Sequence, residues 1–278
     1  IPSYDEAQDN MTVSGELLGM IYNGFVTYSK ILKLNCQIEM SEVYANRTIQ
    51  YKHLIDSLWW DENSLSYFDF YKTDKKFYHG GIAKSEFLLW YKAIDDPARI
   101  IKSLKNIQNS QTEVLSYLPM IFYRYGYNQE GYDFLGKIFA DKRRMYPEAS
   151  SGAIEGIVRG MMGIEPSASA NRIMTCPRIS EKTKWVTVEN IPVFSGLISV
   201  KHETSFKTTF ANKSDQELIW RATFQGLFEK IMVDGKAITA KHFSDATGKI
   251  HSYVDVSMQT KSQVAAEADV KQIAQIWN

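Results

Sequence analysis

Residues 151–166 read Ser-Gly-Ala-Ile-Glu-Gly-Ile-Val-Arg-Gly-Met-Met-Gly-Ile-Glu-Pro, and the fold turns on this stretch. Gly152, Ala153, Gly156 and Gly160 leave one side of a helix almost without side chains, which lets another backbone approach closely. Just upstream, Tyr146-Pro147-Glu148 starts that helix, because proline suits a first turn whose N–H groups have no partner within the helix. Downstream of Glu165-Pro166 the helical texture stops and alternating β-branched and polar residues begin. The chain therefore reads as helices first and strands second.

Upstream, apolar residues recur at spacings of three and four. Leu17, Leu18, Ile21, Phe25, Tyr28, Ile31 and Leu32 share one face of a first helix that Ser14 can cap. A second helix runs from about Glu39 to Leu58, with Val43, Ala45, Ile49, Leu54 and Leu58 expected inward. The period then changes: residues 65–70 and 76–78 read as two short strands around a polar turn, a β-hairpin inserted between helices. Helices resume at about 85–93, at 98–107 after the start signal Asp95-Asp96-Pro97, at 112–125, where Pro119 kinks or delays the start, and at 129–139. The polar connections are short enough to join antiparallel neighbours.

Downstream, strands are expected at Trp185–Val188, Val193–Val200, Phe206–Phe210, Glu217–Phe224, Lys230–Val233 and Tyr253–Met258. Turn signals such as Asp234-Gly235 separate them at the spacing of an antiparallel sandwich. The fold class is α+β by segregated parts: a helical domain over residues 1–165, with the hairpin near 65–78, and a C-terminal antiparallel β-sandwich over 166–278.

Composition narrows function. The 278 residues carry 32 basic and 32 acidic side chains, so no global field exists to hold a nucleic acid. No apolar run is long enough to suggest a membrane span. Cys36 and Cys176 lie far apart without a CxxC spacing, and His53, His79, His202, His242 and His251 form no HxxxH pair, so neither a disulfide framework nor a metal site is indicated. No glycine-rich phosphate loop occurs, and no cofactor is expected. The excess is in aromatics, with 16 Tyr, 14 Phe and 6 Trp.

Three segments combine carboxylates, aromatics and turn residues. In Tyr4-Asp5-Glu6-Ala7-Gln8-Asp9-Asn10, three crowded carboxylates raise the pKa of the least exposed one toward that of a general acid, although acidic residues ahead of a helix also simply cap it. In 142–152, Glu148 lies in a first helical turn that favours the ionised form a general base needs, and a Glu after Pro is equally a common way to begin a helix. In the hairpin, Trp59, Trp60 and Tyr78 belong to an aromatic cluster that can either stack on sugar rings or pack on a helix; the adjacent Trp59 and Trp60 are the expected ligand contacts.

The run 151–166, the acidic opening and the Trp-Trp-Asp-Glu hairpin together resemble the six-hairpin (α/α)6-barrel glycoside hydrolases, the α-L-rhamnosidase and glucoamylase-like group. The resemblance implies a partial (α/α)6 barrel feeding the sandwich, a carbohydrate substrate and a pair of carboxylates across a cleft. Glu6 is then the acid and Glu148 the base that activates water, with inversion expected. Asp5 and Asp9 are rival acids or hydroxyl ligands, and Asn10, Trp59, Trp60, Tyr78, Arg144 and Tyr146 are substrate contacts. A complete barrel has twelve helices and about seven are countable here, so the N-terminal half of the barrel is expected from the rest of a longer chain. The resemblance favours an exported protein. Two other readings stand beside hydrolysis: a polysaccharide lyase and a non-catalytic carbohydrate-binding protein.

Overall fold

The computed structural model describes residues 10–80, 86–107 and 116–269. It contains seven α-helices among those residues and two mainly antiparallel sheets that form a sandwich. The chain divides into two compact units, Ile1–Val114 and Leu115–Asn278. The last helical turn ends at Met161 and the next strand begins at Glu165. Packing divides elsewhere, because the last helices share a unit with the sandwich.

In the first unit, β1 (Met11–Ser14) leads into α1 (Gly15–Leu34), followed by α2 (Ile38–Leu58). Ser14 caps α1 as its sequence suggested, its Oγ accepting from Leu17 N at 3.1 Å. The two helices are joined across their interface by Ser29 and Ser41, each hydroxyl donating to the other's carbonyl at 2.9 Å. The inward face of α2 is not the expected one. Ser41 and Ile55 are buried, while Val43 and Leu58 are exposed and Ile49 is 67% exposed. The apolar residues of α2 are spread around the helix rather than along one stripe, and α1 covers only one side. On α1, Tyr28, Ile31 and Leu34 are exposed as well.

After α2, β2 (Trp60–Asp61) pairs with β3 (Ser66–Tyr67), and β4 (Phe70–Lys72) pairs with β5 (Phe77–Tyr78). β1 adds to β4 with Ser14 opposite Phe70, so the expected hairpin is one part of a three-stranded sheet. Two shorter helices follow, α3 (Glu86–Trp90) and α4 (Pro97–Asn106). Asp96 caps α4, accepting from Arg99 N at 3.0 Å, with Pro97 in the first turn.

Trp59 and Trp60 are corrected by this packing: they are 3% and 8% exposed. Trp59 meets Phe77 edge-on at 5.3 Å. Trp60 meets Tyr67 at 5.0 Å and carries the Arg99 guanidinium over its ring at 4.8 Å. Their faces are covered by protein rather than offered to a ligand. An adjacent pair can be buried together because the chain leaves the helix at Trp59 and enters a strand at Trp60, and the two indoles meet different partners.

In the second unit, α5 (Leu118–Arg124), α6 (Asn128–Ala140) and α7 (Pro147–Glu155) precede a π-helical turn, Gly156–Met161. Pro119 occupies the first turn of α5, so it starts that helix and does not kink it. The small-residue face is used as its glycines imply. A Cβ on Gly152 would lie 2.3 Å from Ser116 O, and one on Gly160 would lie 2.9 Å from the ring of the fully buried Tyr123.

The chain then enters β6 (Glu165–Ser167) and β7 (Arg172–Thr175). The sandwich is completed by β8 (Val186–Val193), β9 (Gly196–Thr204), β10 (Lys207–Asn212), β11 (Leu218–Gln225), β12 (Lys230–Val233), β13 (Lys236–Thr239), β14 (Lys241–Ser244), β15 (Ile250–Met258) and β16 (Ser262–Ala268). One sheet runs β13-β12-β16-β10-β9-β8 and the other β14-β15-β11-β7-β6. All pairings are antiparallel except β7 with β11. Phe210 stacks on Trp220 at 5.2 Å in the core, and Trp220 Nε1 donates to Thr175 Oγ1 at 2.9 Å.

Two buried histidines titrate in opposite senses. His202 is 0% exposed, with Nε2 3.0 Å from Met162 O and Nδ1 2.8 Å from Thr208 Oγ1. A carbonyl on Nε2 assigns the proton there, and burial pushes the pKa down to about 4. For His251, burial alone would lower the pKa, but hydrogen bonds with Asp245 and Cys176 bring it up to about 9. The neutral His202 contributes stability above pH ~6.5 that is lost as pH falls through about 4, and the charged His251 contributes stability below pH ~6.5 that is lost as pH rises through about 9. Stability should therefore peak near pH ~6.5. The His202 contribution to be lost on acidification is about 3 kcal/mol. Denaturant titrations across that range should show His202→Gln flattening the acid limb and His251→Gln the alkaline one.

A second expectation concerns Trp60. Trp60→Ala should lower stability by about 3–5 kcal/mol, the cost of emptying a packed aromatic site. A residue serving only as a surface platform would lose glycan affinity and leave the melting temperature unchanged, so thermal unfolding separates the two roles.

Candidate functional site

The structure treats the candidate residues unequally. Asp5, Glu6 and Asp9 lie outside the described residues. Asn10 is exposed at φ +62°, and its carbonyl accepts from Thr73 N at 2.9 Å, at the turn between β4 and β5. Asn10 therefore leads into β1 next to the hairpin turn. Tyr78 stacks on Phe70 at 5.8 Å and donates its hydroxyl to Asp74 Oδ2. That bond pulls the Asp74 carboxyl below its ordinary range and raises the Tyr78 phenol.

Arg144, Tyr146 and Glu148 share the approach to α7 in the second unit. Tyr146 is the residue before the helix, exposed, with the Arg143 guanidinium over its ring at 4.6 Å. Arg144 is exposed, and its carbonyl accepts from Ser150 Oγ at 3.3 Å. Glu148 is half-buried in the first turn, and its Oε2 is a buried oxygen with no hydrogen-bond partner. A buried acceptor without a donor costs about 1–3 kcal/mol.

Sequence reasoning missed a polar cavity of about 510 Å³ in the first unit. Ser66, Tyr67 and Asp69 line it from β3 and the corner before β4, His79 and Gly80 from the end of β5, Glu86 from the start of α3, and Ser103, Lys105 and Asn106 from the end of α4. Asp69 is held rigidly: its backbone bonds to Gly15 and Tyr78, and Gly80 N donates to its Oδ2 at 2.6 Å. Gly80 makes that bond at φ +105°, a conformation that favours glycine. At the rim, His79 Nε2 lies 3.0 Å from Asp61 Oδ2 and 3.1 Å from Ser64 Oγ. The His79 bond leads the causes that hold the Asp61 carboxyl at about 2. One sequence signal could have pointed here: Asp69 interrupts an otherwise aromatic run between Phe68 and Phe70.

A second titratable cluster lies in the sandwich. Cys176 Sγ is 3.9 Å from His251 Nδ1, and His251 Nε2 is 3.0 Å from Asp245 Oδ2. Cys176 and His251 are buried, and the cluster pins the β14–β15 connection to the end of β7. Among the described residues, no group of three or more His, Cys, Asp or Glu side chains is placed to hold a metal. No helix among them is long and apolar enough to cross a membrane.

No protein-family model and no curated protein matches the sequence. Solved structures do resemble the fold. An α-L-rhamnosidase from Dictyoglumus thermophilum is 13% identical, with a TM-score of 0.58 over 90% of this chain and 31% of that one. A β-L-arabinofuranosidase from Geobacillus stearothermophilus T6 is 9% identical, with a TM-score of 0.38 over 95% of this chain and 43% of that one. The chain thus spans less than half the length of either. Helical hairpins followed by an antiparallel sandwich, the arrangement that the run 151–166 suggested, is the fold this chain shares with the corresponding third of the α-L-rhamnosidase.

Proposed function

We propose that the chain is part of a carbohydrate-active enzyme, an inverting glycoside hydrolase that cleaves glycosidic bonds in an oligo- or polysaccharide. The observation that carries the reading is the fold: 90% of the chain superposes on an α-L-rhamnosidase, which makes α-L-rhamnosides the first substrates to test. Glu148 is the proposed base. Its carboxylate takes a proton from water as that water attacks the anomeric carbon, while Glu6 delivers a proton to the departing glycosidic oxygen. Atoms balance as one water added across one C–O bond, with the anomeric configuration inverted. This geometry requires about 6.5–9.5 Å between the two carboxyl groups, room enough for the water. Supporting the assignment is the buried, donor-free Oε2 of Glu148 at a helix N-terminus.

The remaining barrel helices are proposed to come from a longer chain. Two features support this: the chain spans 31% of the α-L-rhamnosidase, and α1 and α2 expose a run of large apolar residues, with Leu34 at 70% and Ile49 at 67% exposure. Such surface is rarely left open on a finished soluble protein.

In the full-length protein, Glu148→Gln should lower kcat on aryl glycosides by a factor of about 10² or more with an unchanged circular dichroism spectrum. A near-normal rate would remove Glu148 from the mechanism. Proton NMR of the first-formed product should show the anomer opposite to that of the substrate.

A further inference from the structure

We infer that the polar cavity of the first unit, between the β3–β4 corner, the end of β5 and the ends of α3 and α4, is a binding pocket for one neutral sugar ring. The inference rests on the carbohydrate reading above and adds a site that the acid–base pair does not include. Size permits it, since about 510 Å³ lies within the ~300–1,000 Å³ range of small-molecule sites.

The lining chemistry narrows the ligand. Asp69 and Glu86 accept hydrogen bonds, Lys105 donates them, and Asn106 and Ser103 can do both. A sugar hydroxyl also donates and accepts at one atom, so neighbouring hydroxyls of a ring can bridge acceptors on one wall to donors on another. An apolar ligand would strip water from these groups without replacing their hydrogen bonds. Among the described lining residues, an anionic ligand would meet the carboxylates of Asp69 and Glu86 beside Lys105, and the imidazole of His79 is already turned to Asp61 through Nε2 at 3.0 Å. Uronates and phosphates are therefore disfavoured, and a neutral ring fits.

The site is built in advance. Asp69 is 8% exposed and fixed by Gly80 N–H at 2.6 Å. Asn106 Nδ2 donates to Leu65 O at 3.1 Å, which ties the end of α4 to the β2–β3 connection. Ser103 Oγ is buried without a hydrogen-bond partner. Groups already ordered do not lose conformational freedom again on binding.

The test uses the full-length protein with methyl α-L-rhamnoside, D-glucose and D-glucuronate as probes, read by calorimetry and by amide shift mapping. Lys105 is exposed, so Lys105→Ala should fold normally; Glu86→Gln keeps the shape of the side chain. Each is expected to weaken binding of the preferred neutral sugar by about fivefold or more, with shifts centred on residues 64–69, 79–80 and 103–107. Unchanged affinity in both variants, shifts centred elsewhere, or tighter binding of D-glucuronate than of D-glucose would overturn the proposal. The hydrolase reading is judged separately. Glycoside turnover at unaltered kcat/KM in both variants removes the pocket and leaves hydrolysis standing. Pocket-dependent sugar binding without any turnover removes hydrolysis and leaves the pocket standing.

Discussion

The constraint on which the second unit depends is the set of carbonyls at the end of its last helical turn. A helix exit leaves several C=O groups without partners, and burying them unpaired is costly. Here the sandwich satisfies them. Arg178 donates its guanidinium to Arg159 O and Gly160 O at 3.1 and 3.0 Å and its backbone N–H to Met161 O at 2.9 Å. Met162 O accepts from His202 Nε2 at 3.0 Å and from Cys176 N at 3.3 Å. Helix exit and sheet are therefore one polar network in a dry environment. That explains why packing does not divide where the secondary structure changes. It also makes Gly163 indispensable: at φ +59°, a Cβ there would lie 2.4 Å from Cys176 O. His202 is neutral for the same reason, since a charged imidazole in that seam would lose its hydration and face the Arg178 guanidinium, which the hydrogen bond to Met162 O only partly offsets.

In the first unit, aromatic side chains go mainly into structure. Trp59, Trp60, Tyr67 and Phe70 are all buried, and they surround a sheet whose exposed product is a polar cavity rather than a stacking platform. The zero net charge and this mixed lining point the same way. A neutral polyhydroxylated ligand is held by short-range hydrogen bonds, which do not need a long-range field. The apolar surface of α1 and α2 is a separate matter: helical layers of this kind bury such faces against further helices.

Local signals were legible because their physics is local. Ser14 and Asp96 cap their helices through side-chain oxygens reaching N–H groups three residues on, and Pro97 and Pro147 sit in first turns. The six strands expected from alternation are present. β16 escaped notice because Ser-Gln-Val-Ala-Ala-Glu-Ala has weak strand propensity, and its place between β10 and β12 makes it a strand regardless of that propensity. The inward face of α2 was misjudged because burial there depends on which neighbours are present, and periodicity does not specify them. The cavity was invisible because Asp69, Glu86 and Lys105 are separated by more than fifteen residues and meet only through the ends of three elements.

By itself, then, the sequence determined the order of helices and strands, the positions of their caps, and the pivot at residues 151–166. All of these depend on residues within a turn or two of one another. Tertiary structure alone decided that Trp59 and Trp60 are core, that Glu148 keeps a buried oxygen without a donor, that Arg178 and His202 close the last helix, and that three distant element ends form a polar pocket. Those properties depend on which groups lose water together, and desolvation is settled only when segments remote in sequence pack against each other.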